Sequence, residues 1–313
     1  MECKICNNSK NLKEYKVKEM MFGFRDEFLY FQCEKCGCLQ IAEIPANMDK
    51  YYPDNYYSYT NSNKQGKFNI TRFLQKKRDN YAVFKKGLLG KWVYHSKPNE
   101  LLSVLSNVPL TKDSCILDVG CGGGKLLTLL NEIGFTNLSG VDPYINEDIS
   151  YDNGLVIQKK EVNEVKEKQD LIMFHHSFEH ISNPLETLQV VSKLLNKGGY
   201  CIIRIPTASS YAWRHYKEKW VQLDAPRHFF LHSTESIRIL AEKSSLEIVK
   251  IIYDSTAFQF LGSERYIKDI PLKNGVSDKD IFTDSEIENF KHQAEELNKN
   301  EDGDSCVFIL KKI

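Results

Sequence analysis

The sequence predicts an α/β fold in which an open, mostly parallel sheet carries a cofactor loop and a small metal-binding module precedes it. Three observations predict this. Residues 116–124, Ile-Leu-Asp-Val-Gly-Cys-Gly-Gly-Gly, join an apolar, strand-like run to the helix-like LLTLLNEIG through the alternating glycines Gly120, Gly122 and Gly124. Strand-like runs then recur at 138–142, 170–175, 201–206, 246–255 and 305–313, with helix-like segments between several of them. Finally, two Cys-x-x-Cys pairs, Cys3/Cys6 and Cys33/Cys36, open the chain with 26 residues between them.

Taken in chain order, residues 1–45 read as a zinc-ribbon-like module. Each cysteine pair suits a turn that offers two thiolates, and four thiolates close a tetrahedral sphere with no position left for water, so the expected Zn2+ is structural. So short a segment buries too little core to fold unaided, and metal binding supplies the deficit. Residues 46–97 read as a tyrosine-rich linker and a helical segment. Tyr51 to Tyr59 holds five tyrosines in nine residues, and Tyr56 and Tyr57 are candidates to pack on a sugar face of a substrate. Residues 68–94 read as helical, with Lys76, Lys77, Arg78, Lys85, Lys86 and Lys91 forming a solvated basic face.

Residues 98–313 hold the loop that carries the chemistry. Its acid, Asp118, stands two positions before the first glycine, and the DxGxGxG spacing departs from the dinucleotide pattern GxGxxG, whose helix N-terminus serves a pyrophosphate. Leu138-Ser-Gly-Val-Asp142-Pro143 is a short strand ending in an acid 24 positions after Asp118, placed to accept ribose hydroxyls. Asp170 to His175 is a buried-type strand running into the polar cluster HHSFEHI. Leu195 to Gly199 reads as a helix stopped by glycine, with CIIRIP as the next strand.

This order resembles the class I S-adenosylmethionine-dependent methyltransferases over about 100–255 plus the last strand. The HHSFEHI cluster with a following Pro184 and LNKGG is similar to the branch found in bacterial glycan and natural-product biosynthesis. The resemblance implies a Rossmann-like seven-stranded sheet, mostly parallel with an antiparallel last strand. It also implies S-adenosyl-L-methionine as cofactor, with Asp118 at its amino-acid end, Gly120, Gly122 and Gly124 along its body, and Asp142, Pro143 and His175 completing the site.

Two insertions, at about 207–232 and 257–303, are too long to be mere connectors. The first contains Asp224-Ala-Pro-Arg227-His228 ahead of a helix cap at Ser233; Asp224 and Arg227 are candidate substrate-binding residues. In the second, FLGSERYIKDIPL reads as a substrate or dimer loop and SEIENFKHQAEELNKNEDGD as a solvated helix. A hydroxyl acceptor benefits from a base, and histidine titrates in the useful range. The candidates are His228, then His176, then His175, with His180 less favoured and Glu179 orienting one of them.

The 42 basic and 42 acidic residues cancel, so no global field draws the chain to nucleic acid or anionic membrane. No apolar run reaches about 18 residues and no leader is evident, so a cytoplasmic location is expected. The reading is a methyltransferase acting on a small molecule, a hydroxyl of a nucleotide-linked sugar, glycan precursor or related metabolite. The alternatives are an RNA methyltransferase using the ribbon for nucleic acid, disfavoured by neutral charge, and a non-enzymatic scaffold, which would need neither the glycine loop nor Asp142.

Overall fold

The computed structural model describes residues 1–52 and 69–313. Its main sheet begins with β4 (Ile116–Val119) and β5 (Leu138–Val141), followed by β6 (Ile149–Ser150), β7 (Val156–Gln158), β8 (Gln169–His175) and β9 (Leu195–Pro206); β11 (Leu246–Tyr253) and β12 (Ser305–Lys312) complete it. The spatial order is β11-β12-β9-β8-β4-β5-β7-β6. β9, β8, β4, β5 and β7 are parallel to their neighbours in that run, while β12 lies antiparallel between β9 and β11. The sheet is thus mostly parallel with an antiparallel final hairpin, but it has eight strands where seven were expected. The extra strand is β6, which folds back on β7 through a turn closed by a hydrogen bond from the Tyr151 amide to the Leu155 carbonyl.

Both sheet faces are buried, which is why the strands read as continuous apolar runs. Alternate residues go to opposite sides. Leu117, Ile172, Ile203 and Phe308 pack towards helices α5 (Pro184–Leu194) and α7 (Thr234–Lys243), whereas Ile116, Leu171, Ile202 and Ile309 pack towards α1 (Ile70–Phe84), α3 (Glu100–Ser103) and α4 (Lys125–Glu132). The basic helical segment is two helices, α1 and α2 (Leu88–Ser96), broken at Lys85, which adopts φ +54°. Gly198 and Gly199 do not stop α5. That helix ends at Leu194, and β9 runs on through both glycines, where the register with β8 slips and a Cβ on Gly199 would crowd the Asn196 and Asp170 carbonyl oxygens.

The N-terminal residues form β1 (Leu12–Lys18), β2 (Glu27–Cys33) and β3 (Leu39–Ile41), and this sheet is completed by β10 (Phe230–Leu231) from the first insertion. Tyr30, Leu39 and Ile41 belong to the same buried cluster as Leu188, Trp213 and Leu240. The Trp213 indole of α6 (Tyr211–Tyr216) meets Tyr15 edge-on at 4.9 Å and donates to Gln32. The cysteine module and the insertion therefore share one core. The second insertion provides α8 (Phe258–Ile267), largely buried on one face, and α9 (Asp284–Lys299), whose one buried residue is Ala294. Among the described residues no helix is long and apolar enough to cross a membrane.

Candidate active site

At the carboxyl ends of β4, β5 and β8 lies a cavity of about 370 Å³ whose walls include Val119, Gly120, Asp142, Pro143, His176 and Ser177. Gly120 is required twice over. Its φ of +71° suits glycine, and a Cβ there would stand 2.5 Å from Cβ of Ser177, whose hydroxyl donates to the Val119 carbonyl. Asp142 ties the loop to the sheet: one carboxylate oxygen accepts from the Gly122 amide at 2.8 Å and the other from the Tyr144 amide at 2.9 Å. A carboxylate has about four acceptor positions, so two remain for a ligand.

Asp118 is buried, and its Oδ1 has no hydrogen-bond donor among the described residues. Burial, reinforced by the nearby Asp142 charge, pushes its carboxyl up to about 8. An orphaned acid next to Val119 in the cavity wall fits a ligand that brings a cation and hydrogen-bond donors. The Gly120 cradle and Asp142 fit the ribose and body of the same ligand.

A second cavity of about 520 Å³ shares His176 and His180 with the first and is walled by Met21, Glu179, Asp224, His228, Arg265 and Lys273, among others. His176 follows β8 in a left-handed conformation, φ +53°, and its Nδ1 lies 3.7 Å from Glu179 Oε1. His228 donates from Nδ1 to the Gln222 carbonyl at 2.7 Å, leaving Nε2 unprotonated, 3.9 Å from Glu179 and 3.8 Å from Asp224. Burial and the neighbouring His180 hold His228 down to about 4, against the pull of the two acids. Glu179 is buried and neither of its oxygens finds a donor among the described residues. Burial would raise its carboxyl, but His176, His180 and His228 outweigh that and hold it at about 2.

Of the expected site residues, Asp118, Gly122 and Gly124 lie behind the wall of the first cavity and line neither, and two more lie elsewhere. His175 lines neither cavity. It is the last residue of β8, paired with Arg204 of β9, and burial with the Arg204 charge keeps it neutral, with its value lowered to about 3. The strand alternation that sends His176 into the cavities sends His175 away from them. Arg227 is fully buried and lines neither cavity; it bridges Asp224 and Glu19 and donates to the Tyr51 carbonyl. It is a strut where a substrate contact was expected, because the N-terminal sheet closes over it. Tyr56 and Tyr57 lie outside the described residues. Arg265 belongs to FLGSERYIKDIPL, the segment read as a substrate or dimer loop, which also brings Leu261 and Leu272 to the second cavity. Sequence reasoning missed Met21, which reaches the second cavity from a distant segment, Glu19, which meets Arg227 outside the cavities, and Glu161, Val162 and Asn163 beside the first cavity. Only the polar Glu-Val-Asn after the short run Leu155 to Ile157 gave a local signal for the last three.

The four cysteines converge. One sulfur from each of Cys3, Cys6, Cys33 and Cys36 lies within 4.8 Å of the others, with Cys3–Cys36 at 3.5 Å and Cys6–Cys33 at 3.6 Å. A tetrahedron with metal–sulfur bonds of about 2.3 Å has sulfur–sulfur edges of roughly 3.8 Å, so the set is close to the spacing zinc requires. The Gln40 and Asn8 side-chain amides donate to the Cys3 and Cys33 sulfurs, contacts that hold thiolate ligands in place.

Similar solved structures include a S-adenosylmethionine-dependent methyltransferase from Archaeoglobus fulgidus (21% identity, 64% of this chain and 86% of that one, TM-score 0.40). Others are the cyclopropane synthase MmaA2 from Mycobacterium tuberculosis (13%, 77% and 94%, 0.45) and the StiE O-methyltransferase domain (15%, 74% and 80%, 0.42). No curated protein sequence matches the chain. The model of the methyltransferase domain family matches residues 92–251, just over half the chain and the whole segment from α2 to β11 that builds the glycine loop and Asp142. The chain belongs to that family and is an S-adenosylmethionine-dependent methyltransferase.

Proposed function

We propose that the protein methylates a hydroxyl group of a small polar metabolite, of the nucleotide-linked sugar or glycan-precursor class, seated in the second cavity. The observation that carries this reading is the junction: His176 and His180 belong to the walls of both cavities, so an acceptor in one abuts a methyl donor in the other. The wall of the second cavity mixes Glu179, Asp224, Gln222, His228 and Lys273 with Met21, Val221 and Leu261, a combination suited to a hydroxyl-rich ligand with apolar ring faces.

S-adenosylmethionine, when bound, supplies an electrophilic methyl group on a sulfonium, whose sulfur keeps the electron pair as the methyl leaves. Asp118, Asp142 and the glycine loop hold it, and much of the rate comes from alignment of donor and acceptor. His176, exposed at the junction, takes the hydroxyl proton, and Glu179 behind it stabilises the resulting imidazolium. His228 sits deeper, its Nε2 facing two acids, and forms the polar floor of the acceptor site with His180. The four-cysteine module holds a structural zinc and, through Met21, Glu19 and Tyr51, supports the acceptor side.

His176→Ala is expected to lower kcat about 10²- to 10³-fold, the usual loss for a general base, while S-adenosylhomocysteine affinity by calorimetry changes little. Full turnover would remove His176 as the base. The acceptor class is tested by incubating the enzyme with a panel of sugar nucleotides and reading a one-CH2 mass gain; methylation of RNA alone would overturn it.

Asp118 sets a pH dependence whose sign can be worked out. Its carboxyl sits near 8 in the free protein and a cationic ligand lowers it, so binding releases a proton. Affinity for S-adenosylhomocysteine should therefore rise with pH between about 6 and 8, by at most about tenfold per unit. Stability of the free protein should fall over the same rise, because the folded state holds a proton that the unfolded state has lost. Asp118→Asn should flatten both trends; an equally steep affinity profile in that variant would refute the assignment.

A further inference from the structure

We propose that Glu179, His180 and His228 form a second metal site, binding one divalent first-row transition-metal cation on the floor of the acceptor cavity. One ligand atom from each of the three lies within 4.8 Å of the other two. Proximity alone is common among acidic and imidazole groups; the state of the donor atoms is what makes this a site.

Each ring has its Nδ1 committed, and His228 Nε2 lies 3.9 Å from Glu179 Oε1. His180 donates from Nδ1 to the Arg227 carbonyl at 2.8 Å and His228 from Nδ1 to the Gln222 carbonyl at 2.7 Å. A carbonyl only accepts, so both imidazoles carry their proton on Nδ1 and a lone pair on Nε2. Pinning one nitrogen to a backbone carbonyl so that the other can ligate is the arrangement that metal-binding histidines use. Glu179 is fully buried, yet neither carboxylate oxygen meets a hydrogen-bond donor among the described residues. Its nearest imidazole nitrogens stand 3.7 and 3.9 Å away, so a cation seated against the carboxylate would compensate it more directly than they do. Asp224 stands beside the site, its Oδ2 3.8 Å from His228 Nε2, with both oxygens held by Arg227.

The donor set, two imidazoles with one carboxylate, suits Mn2+, Fe2+, Co2+ or Zn2+ better than Mg2+, which prefers oxygen and retained water. It differs in kind from the four-thiolate site of the N-terminal module, so the two sites should sort ions differently. The backbone fixes the ligands: the Glu179 carbonyl accepts from the Phe229 amide and the His228 carbonyl accepts from the Tyr30 hydroxyl. The site therefore forms only where the single helical turn after β8, the insertion around 224–228 and the cysteine module are packed together. The consequence for catalysis rests on the acceptor reading given above, whereas binding of the ion does not: an acceptor hydroxyl on the ion would be acidified, and its proton would pass to His176.

The test uses the full chain, purified with its zinc content determined, titrated with MnCl2 and followed by the loss of the free Mn2+ electron paramagnetic resonance signal. Mn2+ is a poor partner for thiolates, so it reports the nitrogen and oxygen site. The expected result is one Mn2+ per chain in addition to zinc, with affinity lowered at least about tenfold in Glu179→Gln and in His228→Gln. Both variants keep side-chain size, and thermal melts of each decide which remains folded and is read. No Mn2+, Co2+ or Zn2+ bound beyond one zinc per chain would overturn the proposal, as would unchanged Mn2+ affinity in a folded variant. Methylation of a hydroxyl by a chain that takes up no second metal in the titration would overturn the metal site and leave the acceptor reading standing; Mn2+ bound with no hydroxyl acceptor found would do the reverse.

Discussion

Arg227→Ala is expected to destabilise the protein by about 3–5 kcal/mol, the cost of removing one partner from a buried ionic group. Arg227 is fully buried, its guanidinium 3.0 Å from Glu19, bonded to both oxygens of Asp224 and to the Tyr51 carbonyl, and stacked over the Phe22 ring. Glu19 is equally buried, and its two oxygens also accept from the Phe22 and Phe24 amides, so the pair pins the turn between β1 and β2. For Asp224, burial works to raise its carboxyl, and the Arg227 charge overcomes that and holds it below its usual range. Without the guanidinium, the buried Glu19 and the half-buried Asp224 lose the cation they share. Urea unfolding measures the loss; less than about 1 kcal/mol would mean the triad is solvated and carries little. Arg227→Met combined with Glu19→Gln removes both charges and should lose less than the sum of the single changes. Methyl transfer should fall in Arg227→Ala beyond what unfolding explains, since Asp224 and His228 stand on the same loop.

Removing the zinc proposed for the four thiolates should have the largest effect of all. Cys33→Ser with Cys36→Ser, or prolonged chelation of the wild type, is expected to abolish cooperative folding of the β1–β2–β3–β10 sheet, because apparent zinc-binding energies of about 10–16 kcal/mol in small sites exceed the net stability of a typical domain. The effect should spread. Cys36 takes a hydrogen bond on its carbonyl from the Ser233 hydroxyl, which caps α7, and β3 pairs with β10 directly after His228. Tyr30 of β2 holds the His228 carbonyl. Activity should therefore vanish with the metal even though no cysteine lines either cavity. Elemental analysis should find zinc in the wild type, and a metal-free wild type with a full thermal transition and full turnover would sink the assignment.

What could be read in advance was local. The glycine loop is legible because its requirement, positive φ and close backbone approach at a strand-to-helix turn, is satisfied by few residue types. Asp142 is legible because a strand end fixes it. The cysteines are legible because four thiols at that spacing have few other uses in such a chain. The helix boundary at LNKGG was misread because the pairing of β9 with β8 overrides the local tendency of glycine to end a helix. His175 was misplaced because which side of the sheet the last residue of β8 presents follows from its pairing with Arg204 of β9, a neighbour that no local pattern names.

The sequence by itself determined the family, the glycine loop between β4 and α4 and the four cysteines that converge, each written in short local patterns whose backbone or side-chain chemistry admits little else. Only the tertiary structure decided that Arg227 is a strut held by Glu19, that Met21 reaches the second cavity from the cysteine module, and that Glu179, His180 and His228 each bring a ligand atom within 4.8 Å of the others. Those facts depend on which buried charges face each other across segments about 200 residues apart in the chain, and burial, which sets whether a charge binds substrate or stabilises the fold, is a property of packing that no local pattern carries.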